Sequence, residues 1–144
     1  MLRLIIALFF FVLSLPSFSQ SYIPRLDGTW KIVDAKFAPI SAMDGNGAKQ
    51  HYGKKVQIDK GYFDSPFATC KFCGLEKGYK IYSVADFLKL EPDYKVLDIP
   101  GKFVAVNELK FEKGPVRQIS IVTVSDNKTA YLLWDGVFFV LKYQ

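Results

Sequence analysis

Histidine and cysteine are nearly missing from this chain: one His and two Cys in 144 residues. A closed structural zinc site needs about four ligands, so the two cysteines and His51 do not make one, and no metal is expected. Any histidine-dependent general base would have to be His51. It sits in the polar stretch Lys49–Tyr52 beside Gly53, which reads as a solvated loop. No Gly-x-Ser-x-Gly elbow presents a serine nucleophile, and no glycine-rich phosphate loop occurs. Asp59 and Asp64 are expected to face each other across a hairpin, where turn-flanking acids do no more than solvate a bend. These absences point away from an enzyme: no catalytic residue and no cofactor is assigned. Runs of basic residues are lacking too. The 19 Lys and Arg are interspersed with 14 Asp and Glu, which excludes a nucleic-acid footprint and leaves only weak attraction to an anionic surface.

Long apolar runs are confined to the start of the chain. Arg3 supplies a positive charge, and Leu4–Leu15 is a twelve-residue run whose only polar member is Ser14. Pro16 breaks it, and Ser17 and Ser19 place small residues three and one before Gln20, the pattern of a cleaved export signal over residues 1–19. Twelve residues rise only ~18 Å, short of the ~30 Å needed to span a bilayer. A lipid-anchored form would need a Cys just after the cut, whereas the first Cys is Cys70. The expectation is a periplasmic or secreted protein with no stable membrane anchor, residues 20–144 forming a single β-rich domain.

An oxidising compartment decides how Thr-Cys70-Lys-Phe-Cys73-Gly is read. A redox-active pair needs its first Cys at a helix N-terminus. Gly74 and the following Leu-Glu-Lys-Gly turn rather than continue a helix, so a Cys70–Cys73 disulfide that pins a loop is expected.

Strand signals fill the rest. Leu26–Phe37 reads as a first strand with Trp30, Ile32 and Asp34 on one face and Lys31, Val33 and Ala35 on the other. Ala48–Tyr52 reads as one helical turn ended by Gly53. Lys54–Asp59 and Tyr62–Ser65 read as a hairpin around Lys60-Gly61, followed by the cysteine loop. Gly78–Tyr82 is a short strand, and Ser83 opens a short helix that Pro92 stops. Residues 91–103 read as loop, with Leu97, Ile99 and Pro100 as core contacts. Further strands are expected at Phe103–Val106 and within Pro115–Ser125. Thr129–Trp134 and Val137–Tyr143 flank Asp135-Gly136, a two-residue hairpin turn. Short strands at regular spacing without βαβ alternation predict a mainly β fold, an antiparallel barrel or sandwich with one short helix.

Aromatics are the abundant resource, with 13 Phe, 8 Tyr and 2 Trp. Most would fill a core; Tyr62, Phe63, Phe67, Phe72, Tyr79 and Tyr82 cluster around the cysteine loop and are the candidate partner-binding surface. The opening Leu26-Asp-Gly28-Thr-Trp30-Lys-Ile resembles the Gly-x-Trp signature of lipocalins and related calycin barrels. The resemblance covers about a dozen residues. It implies a small lipocalin-like barrel in which Gly28 and Trp30 close the bottom and Lys142, on the last strand, covers the Trp. The Thr-Asp-Tyr turn of that family is absent, and no ligand carries over.

Two functions fit these readings. The first is an exported inhibitor or immunity-type protein that binds another exported protein, such as a cell-wall hydrolase. The alternative is a carrier of a small apolar ligand or lipid inside the barrel. An enzyme of unknown type is third. The export reading makes a direct prediction: the intact mass of the exported form corresponds to a chain beginning at or next to Gln20, and a membrane-retained, uncleaved chain contradicts it.

Overall fold

The computed structural model describes residues 22–71, 75–114 and 116–144. The export segment, Phe72, Cys73 and Pro115 therefore lie outside the described residues. Nine strands form one antiparallel sheet: β1 Gly28–Phe37, β2 Lys55–Asp59, β3 Tyr62–Asp64, β4 Thr69–Lys71, β5 Leu75–Ser83, β6 Phe103–Phe111, β7 Gln118–Val124, β8 Thr129–Trp134 and β9 Val137–Tyr143. Two short helices, α1 Gly45–Lys49 and α2 Val84–Leu90, and a 3₁₀ turn at Pro92–Val96 are the other elements among the described residues.

The order across the sheet is β4-β3-β2-β1-β9-β8-β7-β6-β5. Sequential strands are neighbours throughout, except that β4 and β5 stand at opposite edges while β1 pairs with β9. Only residues 72–74 join those two edges, and four Cα steps reach at most ~15 Å. The sheet must therefore curl until its edges approach at that end. The result is a curled half-barrel, hydrogen-bonded at the β1–β9 seam and open between β4 and β5.

The concave face holds the main core, built on Trp30, Ile32, Ile58, Phe63, Phe139 and Leu141, each no more than 1% exposed. A second core lies on the convex face of β6–β9, where Phe87 of α2 and Tyr94 and Leu97 cover Val104, Val122 and Phe138. Burial on both faces explains why Ile119–Val124 and Val137–Leu141 read as nearly continuous apolar runs rather than alternating ones.

Several sequence expectations shift. The pairing of β1 with β9 slips between Ile32 and Asp34, so Val33 is an extra residue. This bulge reverses the alternation: Ala35 turns inward and Asp34 outward, opposite to the expected faces. The first helix begins earlier than Ala48, because the Asp44 side chain accepts the Gly47 N–H and caps Gly45–Lys49. The expected cysteine loop contains strand β4, with Cys70 buried on the concave face opposite Phe63. Leu97 is buried and Ile99 half-buried, but Pro100 is exposed, since the 3₁₀ turn brings Tyr94 into the core instead. Ser83 caps α2 by accepting the Asp86 N–H, as its sequence implies.

The C-terminal hairpin matches its sequence reading residue for residue. Asp135 and Gly136 have φ of 50° and 78°, the left-handed pair that a two-residue turn requires. The chain after β1 lies over this turn, with Ala38 N–H donating to Gly136 O and Ala42 N–H to Asp135 O, each at 2.9 Å.

Trp30 anchors the seam. Its Nε1–H donates to Leu26 O at 2.9 Å, and its ring meets Tyr143 edge-on with centroids 5.1 Å apart. Gly28, at φ 130°, allows Tyr143 to lie against the backbone: a Cβ there would come within 2.5 Å of the Tyr143 hydroxyl. Arg25 lies over the Tyr143 ring, its guanidinium carbon 4.6 Å from the ring centroid. Lys142 does not cover Trp30. Neighbouring residues on a strand point to opposite faces, so Lys142 projects outward, where its Nζ donates to Thr129 Oγ1 at 2.6 Å. Trp30→Ala should cost ~3–5 kcal/mol, the range for truncating a large buried aromatic, read from urea unfolding. A variant as stable as wild type would contradict this role.

Candidate interaction surface

Strand alternation separates the six aromatic residues proposed from sequence. Phe63 points inward, is fully buried and packs on Phe111 at 5.7 Å. Phe67 is half-buried, lying on Phe139 at 4.6 Å and stacked on Trp134 at 5.5 Å. Phe63 therefore belongs to the core, and Phe67 packs against the edge of it. Tyr62 stands on the opposite face of β3 from Phe63, its hydroxyl donating to Asp64 at 3.3 Å. Phe72 lies outside the described residues. Tyr79 is 58% exposed, whereas Tyr82 is half-buried near Phe87 under α2. Sequence proximity to the cysteines did not make one surface of them, since consecutive strand residues face apart.

The acids behave similarly. Asp64 pairs across the hairpin with Gln57, and Asp59 with Tyr62, so the two carboxylates do not face each other. Asp59 accepts the Lys60 N–H in the turn, and Asp64 accepts from Thr69 Oγ1 at 2.7 Å. Both are committed to local structure.

His51, expected to be a solvated loop residue, is half-buried in its turn. The turn after α1 presses its ring against Phe67 at 4.7 Å and Phe139 at 5.6 Å, and its Nδ1 is buried without a partner among the described residues. Burial, with the nearby Lys54 ammonium, pushes its pKa below the ordinary histidine value. The tyrosines with resolved shifts move the other way: Tyr94 and Tyr131 are raised to about 12, chiefly by burial. Such phenols stay protonated at neutral pH.

The feature that sequence reading missed is the lead segment, residues 22–27, which crosses the open mouth of the half-barrel. Tyr22 OH donates to Thr123 Oγ1 at 3.1 Å. Thr123 is held in turn by buried Asn107, whose Nδ2 donates to it and to the carbonyls of Ala105 and Ile121. At the other end Lys77 pairs with Asp27 at 2.6 Å. A cleft of about 600 Å³ lies between this strap and β5–β6, lined by Arg25, Lys77, Tyr79, Asn107 and Asn127. A second recess of about 620 Å³ lies beyond it, lined by Tyr22, Lys102, Phe103 and Ser125. Asn127 borders both, held at φ 56° in the turn after β7, and its buried Oδ1 has no partner among the described residues. The sequence signal was a polar residue, Asn107, alternating with Ala105 and Leu109 on the buried face of β6.

Apolar side chains ring this mouth without cover from the described residues. Tyr79, Ile81 and Phe103 share the face of Asn107, and they and Ile23 are 43–76% exposed. Arg25, Lys77 and Lys102 add cations, Lys77 already being paired. Comparison of the chain with protein-family models, with curated protein sequences and with solved structures finds no match.

The depressed His51 pKa fixes a sign. A base whose folded pKa lies below its unfolded value leaves the folded state binding fewer protons, so stability is complete above about pH 6.5 and falls as pH drops through the lowered value. The melting temperature of wild type should therefore fall more between pH 7 and 5 than that of His51→Gln. Parallel profiles would contradict the burial of this ring.

Proposed function

We propose that residues 20–144 form an exported, non-enzymatic binding domain that docks on another exported protein as an inhibitor or immunity-type protein does. A cell-wall hydrolase is the kind of partner intended. The observation that carries the reading is the uncovered apolar rim of Ile23, Tyr79, Ile81 and Phe103 on a domain whose two cores are otherwise closed. Exposed apolar side chains grouped beside cations mark a surface that gains from being covered. In the same reading a Cys70–Cys73 disulfide pins the link between β4 and β5, and the domain is lipocalin-like in the sense of its strand-one tryptophan and curled meander.

The apolar-carrier alternative is less well supported. Trp30, Phe63, Leu109 and Phe139 occupy the interior, and the clefts at the mouth are walled by amides and cations as much as by apolar groups. A photo-crosslinking residue placed at Ile23 or Phe103 and activated in the exporting cell should give a discrete protein adduct. The same residue at Lys36, on the opposite part of the barrel wall, should give none. A lipid mass in native mass spectrometry at one-to-one stoichiometry, without any protein adduct, would overturn the reading in favour of the carrier.

A further inference from the structure

We infer that β5 is a self-complementary edge and that two copies of this chain pair through it, antiparallel, about Gly78. The inference rests on the free edge of β5 and not on the partner proposed above, although Tyr79 belongs to both surfaces.

β5 is nine residues long and hydrogen-bonded to β6 over its whole length, from Leu75–Phe111 to Ser83–Phe103. Its other edge pairs with no strand among the described residues. β4, the opposite edge of the half-barrel, is only three residues long and pairs with β3 alone. A long unpaired edge is a template for another strand, and proteins usually blunt one with charge. The charges here are arranged to accept one partner.

β5 carries three charged residues, Glu76, Lys77 and Lys80. Of these three, only Lys77 makes an ion pair among the described residues, with Asp27; Glu76 and Lys80 are exposed and make none there. In an antiparallel pair centred on Gly78, Glu76 of each copy lies directly opposite Lys80 of the other, twice by symmetry. Gly78 then meets Gly78 at the axis, where nothing of the chain lies within 4 Å of a would-be Cβ. Tyr79 comes opposite Lys77, which covers part of the exposed ring with an aliphatic stem and a cation.

The row continues across the sheet on the same face. Lys110 of β6 is already opposite Glu76, and Val106 opposite Lys80. Joined copies would thus read Lys110, Glu76, Lys80, Val106, with charges alternating in sign. Opposed residues of two antiparallel strands point to the same face, so the axis must fall on a residue. Centring on Glu76, Lys77 or Lys80 sets like charge against itself, and centring on Tyr79 opposes no two charges. Of the registers centred on a charged residue or its neighbours, only Gly78 pairs opposite charges. Such a strand-to-strand contact is small, so the dimer is weak and concentration-dependent.

Sedimentation velocity of the mature chain over a concentration series reads the monomer–dimer balance. Glu76→Lys and Lys80→Glu should each weaken the dimer about 10- to 100-fold, because each turns two attractive pairs into two repulsive ones. An equimolar mixture of the two variants should recover a heterodimer of near wild-type strength, since both rows again carry one acid opposite one base. That recovery also shows that both variants fold. In wild type alone, amide exchange over Lys77–Tyr82 should slow as concentration rises. A wild type that stays monomeric at millimolar concentration, a dimer indifferent to both substitutions, or concentration-independent exchange at β5 overturns the inference.

Discussion

The contact of Trp30 with Tyr143 holds the rest of this structure in place. β1 opens the described sheet and β9 closes the chain, and their pairing makes a curled wall from what would otherwise be two separate strand groups. The aromatic contact sits at one end of that seam. Gly28 leaves room for the Tyr143 ring, Arg25 caps the ring, and the Leu26 carbonyl takes the indole N–H. One cluster thereby ties together the lead segment, the first strand and the last. Burying a large aromatic pair is worth several kcal/mol, a sizeable share of the ~5–15 kcal/mol that stabilises a domain.

From that seam the sheet divides into two regimes. β6–β9 are sandwiched between the concave core and the α2 and 3₁₀ cover, with apolar residues on both faces. β2–β4 are shorter and alternate, exposed outside and buried inside. The long, doubly packed half is rigid by burial and reaches further than the short half can close. The consequence is an open side at β5, with Tyr79 and Ile81 left facing solvent on a face that elsewhere is core.

The lead segment compensates in part. Residues 22–27 bridge the mouth through a chain of hydrogen bonds, Tyr22 to Thr123 to Asn107, and through the Asp27–Lys77 ion pair. A buried network of this kind specifies one arrangement more than it adds stability, because each member satisfies another polar group that burial would otherwise leave unpaired. It leaves polar clefts on either side and an apolar rim around them, the surface on which the binding proposal rests.

Local chemistry in the sequence was enough for the elements whose causes are local. Asp135-Gly136 dictates its turn through positive φ, Ser83 dictates the start of α2 through a cap, and the Lys60-Gly61 turn joins β2 to β3. The mainly β class followed from strand spacing. Tertiary structure decided what depends on register and on distant neighbours. The bulge at Val33 exchanged the faces of Asp34 and Ala35, and alternation sent Lys142 away from Trp30 and Phe63 into the core. His51 is half-buried only because Phe67 and Phe139 converge on it from other elements. The mouth, too, was illegible: Tyr22, Asn107 and Thr123 are separated by up to 101 positions, and no local pattern marks residues that meet only when the sheet curls. The sequence by itself determined which short elements form. The curl, which follows from pairing the first strand with the last, determined which side chains share a site.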